Sequence, residues 1–267
     1  VIAAAAASAS GYGGEVLGDR LHPLIRMHEA DGLPFRVLSS SGPHRGRPFV
    51  LVHGIGASHR YLARLHAELA RDSEVHSIDL PGYGGVPKPH GNPDVDTMAA
   101  ALATVLDELG LSAAVVVGHS MGVQWVTELA ILRPDLVHRV VLMGPVTDDR
   151  HPSLVAQAVA LGRDTLGETP VVNATVFSDY LRCGPVYFLA QSRHMTSYRL
   201  DRRVGLLPVP ALVVRGGNDP IAGLDWCRRL RRRAPEGSRL VIVPGHRHVV
   251  QHTAAPAVAS AVRDFVG

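Results

Sequence analysis

The sequence predicts an α/β fold: a mostly parallel central sheet, helices on both faces, and a helical cap inserted late in the chain. Three observations lead there. Short strand-like runs recur at residues 49–52, 75–78, 113–117, 140–143, 211–214 and 240–243, most of them continuously apolar, as strands buried on both faces require. Helical patterns separate them, which implies parallel strands with crossover helices. The alternation then stops between about 147 and 207, where only helical stretches occur.

Each element has its own local reason. Residues 33–39 read as an early strand, and the Gly/Pro/Ser-rich stretch 40–48 as a loop. Residues 60–71 place Leu62, Leu65, His66 and Leu69 on one helical face. The segment 79–84, Asp-Leu-Pro-Gly-Tyr-Gly, is a loop with a structural aspartate. Met98, Leu102, Val105, Leu106 and Leu109 mark a helix over 97–109. Within the cap, helices are expected at 153–166, 175–183 and 186–198. An Arg-rich helix around 228–233 follows Asp219, and 256–266 forms the last helix. The resulting division is a leader at 1–32, a core at 33–146 and 208–267, and a lid at 147–207.

Composition narrows the function classes. The 267 residues suffice for one large core, and 46% apolar against 19% charged residues describes a globular chain. A formal net charge of +3 and an arginine run without interleaved aromatics argue against a nucleic-acid partner. No apolar stretch is long enough to span a membrane. The two cysteines, Cys183 and Cys227, have neither metal-ligand spacing nor a disulfide framework. The start, Val1-Ile2 followed by alanines 3–7, resembles the end of a signal peptide but lacks a positively charged beginning. Cytoplasmic placement is therefore expected, with secretion left open.

The most specific signal is Gly118-His119-Ser120-Met121-Gly122 between an apolar run and a helical stretch. A strand, a G-x-S-x-G turn and a helix make a nucleophile elbow. The serine then sits on a tight turn with its Oγ presented outward, and the flanking glycines relieve the crowded strand–helix crossing. The Met121 N–H falls at the helix start, where it can stabilise an oxyanion.

Together, the sheet pattern and the elbow resemble the α/β-hydrolase superfamily over residues 33–267. The resemblance implies a Ser–acid–His order along the chain. Ser120 is the nucleophile. Asp219, in Arg-Gly-Gly-Asn-Asp-Pro after the 211–214 strand, matches the family's acid loop; Asp148 and Asp149 are the rival acids. His248, after Pro244-Gly245, matches the family's histidine loop; His246 and His252 are the rivals. His53-Gly54-Ile55-Gly56 resembles the family's His-Gly loop, which makes the Ile55 N–H the second oxyanion donor, with His53 and Gly54 shaping the loop.

Aromatic residues of the cap, Phe177, Tyr180, Tyr187 and Phe188, are candidates to line the pocket, as are Leu154 and Val155. The expected activity is cleavage of an ester, lactone or thioester of a small to medium apolar molecule through an acyl-enzyme, without metal or other cofactor. Carbon–carbon bond hydrolysis and acyl transfer use the same triad, and a slow small-molecule receptor is the alternative from another class. The partner is a small-molecule substrate; the sequence carries no signal for an oligomeric state.

Overall fold

The computed structural model describes residues 23–42, 46–149, 154–165, 167 and 170–267, with the backbone alone at 154–158 and 171. The first 22 residues, and the pocket candidates Leu154 and Val155 as side chains, lie outside this description.

Eight strands form one sheet: β1 (Leu24–Ala30), β2 (Leu33–Ser40), β3 (Phe49–Val52), β4 (Val75–Asp79), β5 (Ala114–His119), β6 (Val137–Met143), β7 (Ala211–Gly216) and β8 (Arg239–Val243). Their spatial order is β1-β2-β4-β3-β5-β6-β7-β8. The first two strands join antiparallel; from β4 through β8 every pairing is parallel. The sheet is thus mostly parallel, as the apolar runs predict.

Strand β1 is a correction to the leader assigned to residues 1–32. It pairs with β2 through the two-residue turn Asp31-Gly32, whose φ angles of 53° and 74° are those of a tight hairpin turn. Leu24, Ile25 and Met27 are more than half exposed, and burial is reached only at Ala30, so this edge strand shows no apolar alternation.

Alternation along the strands feeds two cores. Val50, Val52, Val116 and Val140 face one side, where α2 (Val95–Glu108), α3 (Gly122–Leu132) and α8 (Leu224–Arg233) pack. Phe49, Leu51, Val115 and Val141 face the other, covered by α1 (His59–Leu69) and α10 (Ala255–Val266). This two-sided burial explains why the strands read as unbroken apolar runs.

Among the described residues, four α-helices lie between β6 and β7: α4 (Leu154–Thr165), α5 (Pro170–Cys183), α6 (Pro185–Ser197) and α7 (Leu200–Arg203). Gly184, at φ 73°, turns the chain from α5 to α6, and Pro185 starts the new helix with a ring already at a helical φ. Polar side chains moor this cap to the core. The buried Asp179 accepts from the Ser58 hydroxyl at 2.6 Å and from the Arg60 guanidinium at 2.9 Å. The Tyr187 hydroxyl donates to Pro81 O at 2.9 Å. A short helix, α9 (Val250–Thr253), follows β8. Among the described residues, no helix is long and apolar enough to cross a membrane.

Candidate active site

The loops that follow β3, β5, β6, β7 and β8 converge at the C-terminal ends of the parallel strands, where open α/β sheets bind ligands. Ser120 leaves β5 with φ 57°, a left-handed conformation that costs a non-glycine residue about 1–2 kcal/mol. The tight turn holds because the Ser120 N–H donates to Met143 O at 2.9 Å and α3 begins at once, with Val123 N donating to Ser120 O at 3.2 Å. The flanking glycines are required by space. A Cβ on Gly118 would fall on the Gly122 carbonyl, and one on Gly122 would come within 2.5 Å of His53 O.

His248 follows β8, and Asp219 follows β7. Their side chains meet, with His248 Nδ1 2.9 Å from Asp219 Oδ2. The other carboxylate oxygen, Oδ1, accepts from the N–H groups of Ile221 at 2.8 Å and Ala222 at 2.9 Å. Burial pushes the Asp219 carboxyl upward, but the His248 charge and these donors outweigh it and hold the group below its ordinary range. Asp219 is therefore ionised and accepts from the His248 Nδ1–H, which leaves Nε2 as the candidate base nitrogen. Arg215 fastens the acid loop, donating from Nε to Ala222 O at 2.8 Å and from Nη2 to Asp219 O at 3.0 Å.

Gly144, after β6, makes room for the base. At φ 56°, its absent Cβ would stand 2.9 Å from His248 Cε1. Ser120 and His248 then face one cavity of about 260 Å3 beneath the cap.

The rivals lie elsewhere. His246 Nδ1 is 3.0 Å from Thr253 Oγ1. Asp148 and Asp149 are bound to the Arg229 guanidinium. His252 offers its main-chain carbonyl to Arg64. The loop aspartate, Asp79, is buried and accepts from Arg36 Nε at 2.9 Å and His59 N at 2.5 Å, which fixes the segment after β4.

Two histidines outside the candidate triad organise the backbone. His53 Nδ1 donates to Gly54 O at 2.7 Å, while Nε2 accepts from Leu80 N at 3.0 Å, so this ring braces the loop carrying Ile55. Burial holds its pKa down, consistent with a neutral ring. His119 sits in a chain of buried hydrogen bonds. Gly54 N donates to Tyr61 Oη at 2.6 Å, the Tyr61 hydroxyl donates to His119 Nδ1 at 2.7 Å, and His119 Nε2 donates to His248 O at 3.0 Å. Burial, with help from the charge of His248, pushes His119 down to about 3. Gly54 also presses on the nucleophile, since its Cβ would meet Ser120 Cβ at 2.8 Å. The candidate oxyanion donors, Ile55 N and Met121 N, thus belong to two segments locked together beside Ser120, one of them at the α3 N-terminus.

The cavity wall is mainly apolar, with Leu161, Val176, Leu189, Met195 and Ile221 among its residues. Of the four aromatic candidates, Tyr180 and Phe188 line it and pack against each other, tilted by 52°, at 5.2 Å between centroids. Phe177 and Tyr187 do not. Phe177 is 63% exposed on the outer face of α5, and Tyr187 packs on the loop after β4, beside Tyr83. Alternating positions on an amphipathic cap helix point different ways, and aromatic composition alone does not say which turns inward.

Sequence reasoning missed Tyr61, Gly144, Arg215 and Asp164. Asp164, on α4, reaches into the cavity and accepts from the His248 N–H at 3.2 Å. Gly144 leaves a local trace, as the glycine ending a buried strand, and Arg215 acts within its own loop on Asp219 and Ala222; Tyr61 reaches His119, and Asp164 reaches His248, across long sequence separations.

Residues 47–179 match a family model described as alpha/beta hydrolase fold, and residues 169–267 match one described as TAP-like protein. Esterase YbfF of Escherichia coli (strain K12) is 26% identical over 88% of this chain and 98% of its own. The dihydrolipoyllysine-residue acetyltransferase component of the acetoin cleaving system of Pseudomonas putida is 28% identical over 84% of this chain, which spans 65% of that protein's length. Among solved structures, a thermophilic esterase from Thermogutta terrifontis superposes with a TM-score of 0.76 at 20% identity, covering 91% of this chain and 97% of that one.

Proposed function

Since the chain belongs to the α/β-hydrolase superfamily, we propose that it is a serine hydrolase, cleaving a carboxylic ester, lactone or thioester of a small to medium, mainly apolar substrate through an acyl-enzyme. The observation that carries this reading is Ser120 held at φ 57° on the elbow, facing the same cavity as a histidine already paired with a buried aspartate.

A serine hydroxyl is a weak nucleophile at neutral pH and needs a base. His248 Nε2 takes the Ser120 proton as Oγ attacks the carbonyl carbon. Asp219, fixed by two N–H donors and by Arg215, holds the correct tautomer and stabilises the imidazolium. The carbonyl oxygen becomes an oxyanion and meets the Ile55 and Met121 N–H groups. Removing one such donor typically costs 10²–10³ in turnover. The imidazolium then protonates the leaving alcohol or thiol. Water, activated by the same base, attacks the acyl-enzyme and releases the acid. The apolar wall supports a largely apolar acyl group, because burying it there is favourable.

The test is covalent labelling joined to turnover. A fluorophosphonate is expected to label the wild type and not Ser120→Ala. A p-nitrophenyl ester series is expected to lose activity on the order of 10⁴- to 10⁶-fold in that variant while it stays folded. Ester turnover retained in Ser120→Ala would overturn the covalent mechanism. Labelling without appreciable turnover would favour a slow receptor.

A further inference from the structure

The cavity holds one charged side chain that the mechanism does not use. Among the described residues lining it, Asp164 is the single carboxylate, and no lysine or arginine accompanies it. It is 3% exposed, although it belongs to a cap helix. Its Oδ1 accepts from the His248 N–H at 3.2 Å and lies 3.4 Å from Arg247 Nε. Arg247 in turn donates from Nη2 to Arg163 O at 2.6 Å, so the guanidinium is bound to the end of α4 and does not stand among the cavity residues.

Apart from Arg247, which pairs with Asp164 from outside the cavity lining, the neighbouring polar groups add no cation. The Thr165 hydroxyl donates to Leu161 O at 2.9 Å, and the Ser192 hydroxyl to Phe188 O at 2.8 Å. The Asn173 amide donates to Thr165 O at 2.8 Å. An anionic group entering this wall would therefore lose its hydration and meet a fixed negative charge.

We propose that Asp164 is a specificity-determining residue that reserves the cavity for uncharged acyl groups and rejects acyl groups bearing a carboxylate. The proposal rests on the serine-hydrolase reading above, and it adds a substrate class to it. Two like charges about 6 Å apart at an effective dielectric near 20 repel strongly enough for roughly a 10- to 100-fold discrimination.

Burial, with the Asp219 charge, pushes the Asp164 carboxyl upward, while His248 and Arg247 pull it down; the balance is a raised value. Discrimination by an anion is complete well above that value and fades as pH falls through it, so the test is run at pH 8.

The experiment compares p-nitrophenyl hexanoate with the p-nitrophenyl half-ester of adipic acid, which differ in a terminal methyl or carboxylate. Wild type is expected to prefer hexanoate. Asp164→Asn keeps an oxygen for the His248 N–H but removes the charge, and should raise the half-ester to hexanoate ratio of kcat/KM at least tenfold. Asp164→Ser, which also removes the charge and keeps a hydroxyl oxygen on the wall, should raise the ratio too and serves if Asp164→Asn does not fold; the wild type tests the proposal without any variant, since equal kcat/KM for the two esters overturns it. An unchanged ratio in the folded Asp164→Asn variant, or in Asp164→Ser if the former fails to fold, overturns it as well. If neither ester turns over while Ser120 still reacts with fluorophosphonates, the hydrolase reading fails alone. The ratio is then read from labelling rates with alkyl and ω-carboxyalkyl fluorophosphonates. No labelling by either reagent overturns both.

Discussion

His119 Nε2 lies 3.0 Å from the main-chain oxygen of His248, so the residue before the candidate nucleophile holds the backbone of the candidate base. The same ring receives the Tyr61 hydroxyl, which itself takes the Gly54 N–H. Elbow, oxyanion loop and histidine loop thereby share one buried network, and its failure at any link should be felt at the others.

Tyr61→Phe removes the hydroxyl that serves two of these partners. Orphaning a buried N–H and a buried ring nitrogen should lower stability by about 1–3 kcal/mol. Turnover should fall about tenfold, with KM changed less than kcat. Denaturant unfolding and steady-state kinetics on one ester check both; an unaltered kcat would show that the chain of bonds does not position the loops.

Gly122→Ala should be harsher than its size suggests. The added Cβ would stand 2.5 Å from His53 O, a main-chain atom that cannot swing aside. Overpacking of this kind costs about 1–3 kcal/mol, and here the strain falls between the elbow and the oxyanion loop. Ester turnover should drop far more than the Tm does. Full activity in Gly122→Ala would mean that the crossing relaxes easily.

Substitution of the acid should separate Asp219 from its rivals. Asp219→Asn keeps the shape but disturbs the His248 tautomer, and kcat is expected to fall about 10⁴-fold. Asp148→Asn and His246→Ala, whose side chains bind Arg229 and Thr253, should retain activity within a few-fold. Equal losses in Asp148→Asn and Asp219→Asn would point to the wrong acid.

Stability should decline as pH falls below about 6.5. Burial, with neighbouring histidines, brings His66 down to about 4, and burial with the charge of His248 brings His119 down to about 3. In the unfolded chain both titrate near 6.5. Between these values the two rings alone leave the unfolded state with about two more protons and make unfolding easier by about 2.7 kcal/mol per pH unit as pH drops; His53, also held down by burial, adds to that slope. The stabilisation is complete above pH 6.5 and is lost progressively on acidification. Urea unfolding at pH 6 and pH 5 measures the slope, and His66→Gln should lower it by one proton's share, about 1.4 kcal/mol per pH unit. A flat profile across that interval would contradict the neutral, buried rings.

Buried strands were the most legible part of the sequence, because burial on both faces forces unbroken apolar runs such as Phe49–Val52. Strand β1 was not, since an edge with Leu24, Ile25 and Met27 exposed gives no alternation. The Asp31-Gly32 pair was the available signal, a hairpin dipeptide beside a recognised strand. Ser120 was legible because an elbow is a local motif. Asp219 and His248 were legible by loop position, and the fold brings them within hydrogen-bonding distance. Tyr61 and Asp164 were not, because their partners His119 and His248 lie 58 and 84 residues away, at the ends of other strands. The split among the aromatic candidates has the same origin: Tyr180 and Phe188 face in, while Phe177 and Tyr187 sit on other faces of the same two helices.

The docking of α4 on the histidine loop, through Asp164 and Arg247, has a kinetic implication. Any excursion of α4 that admits a bulky guest also strips two supports from the segment bearing the imidazole. If the imidazole needs those supports, reactivity is confined to the shut state. A wide-open enzyme would idle, and the interval between opening and re-docking would set an upper bound on how fast successive guests can be processed.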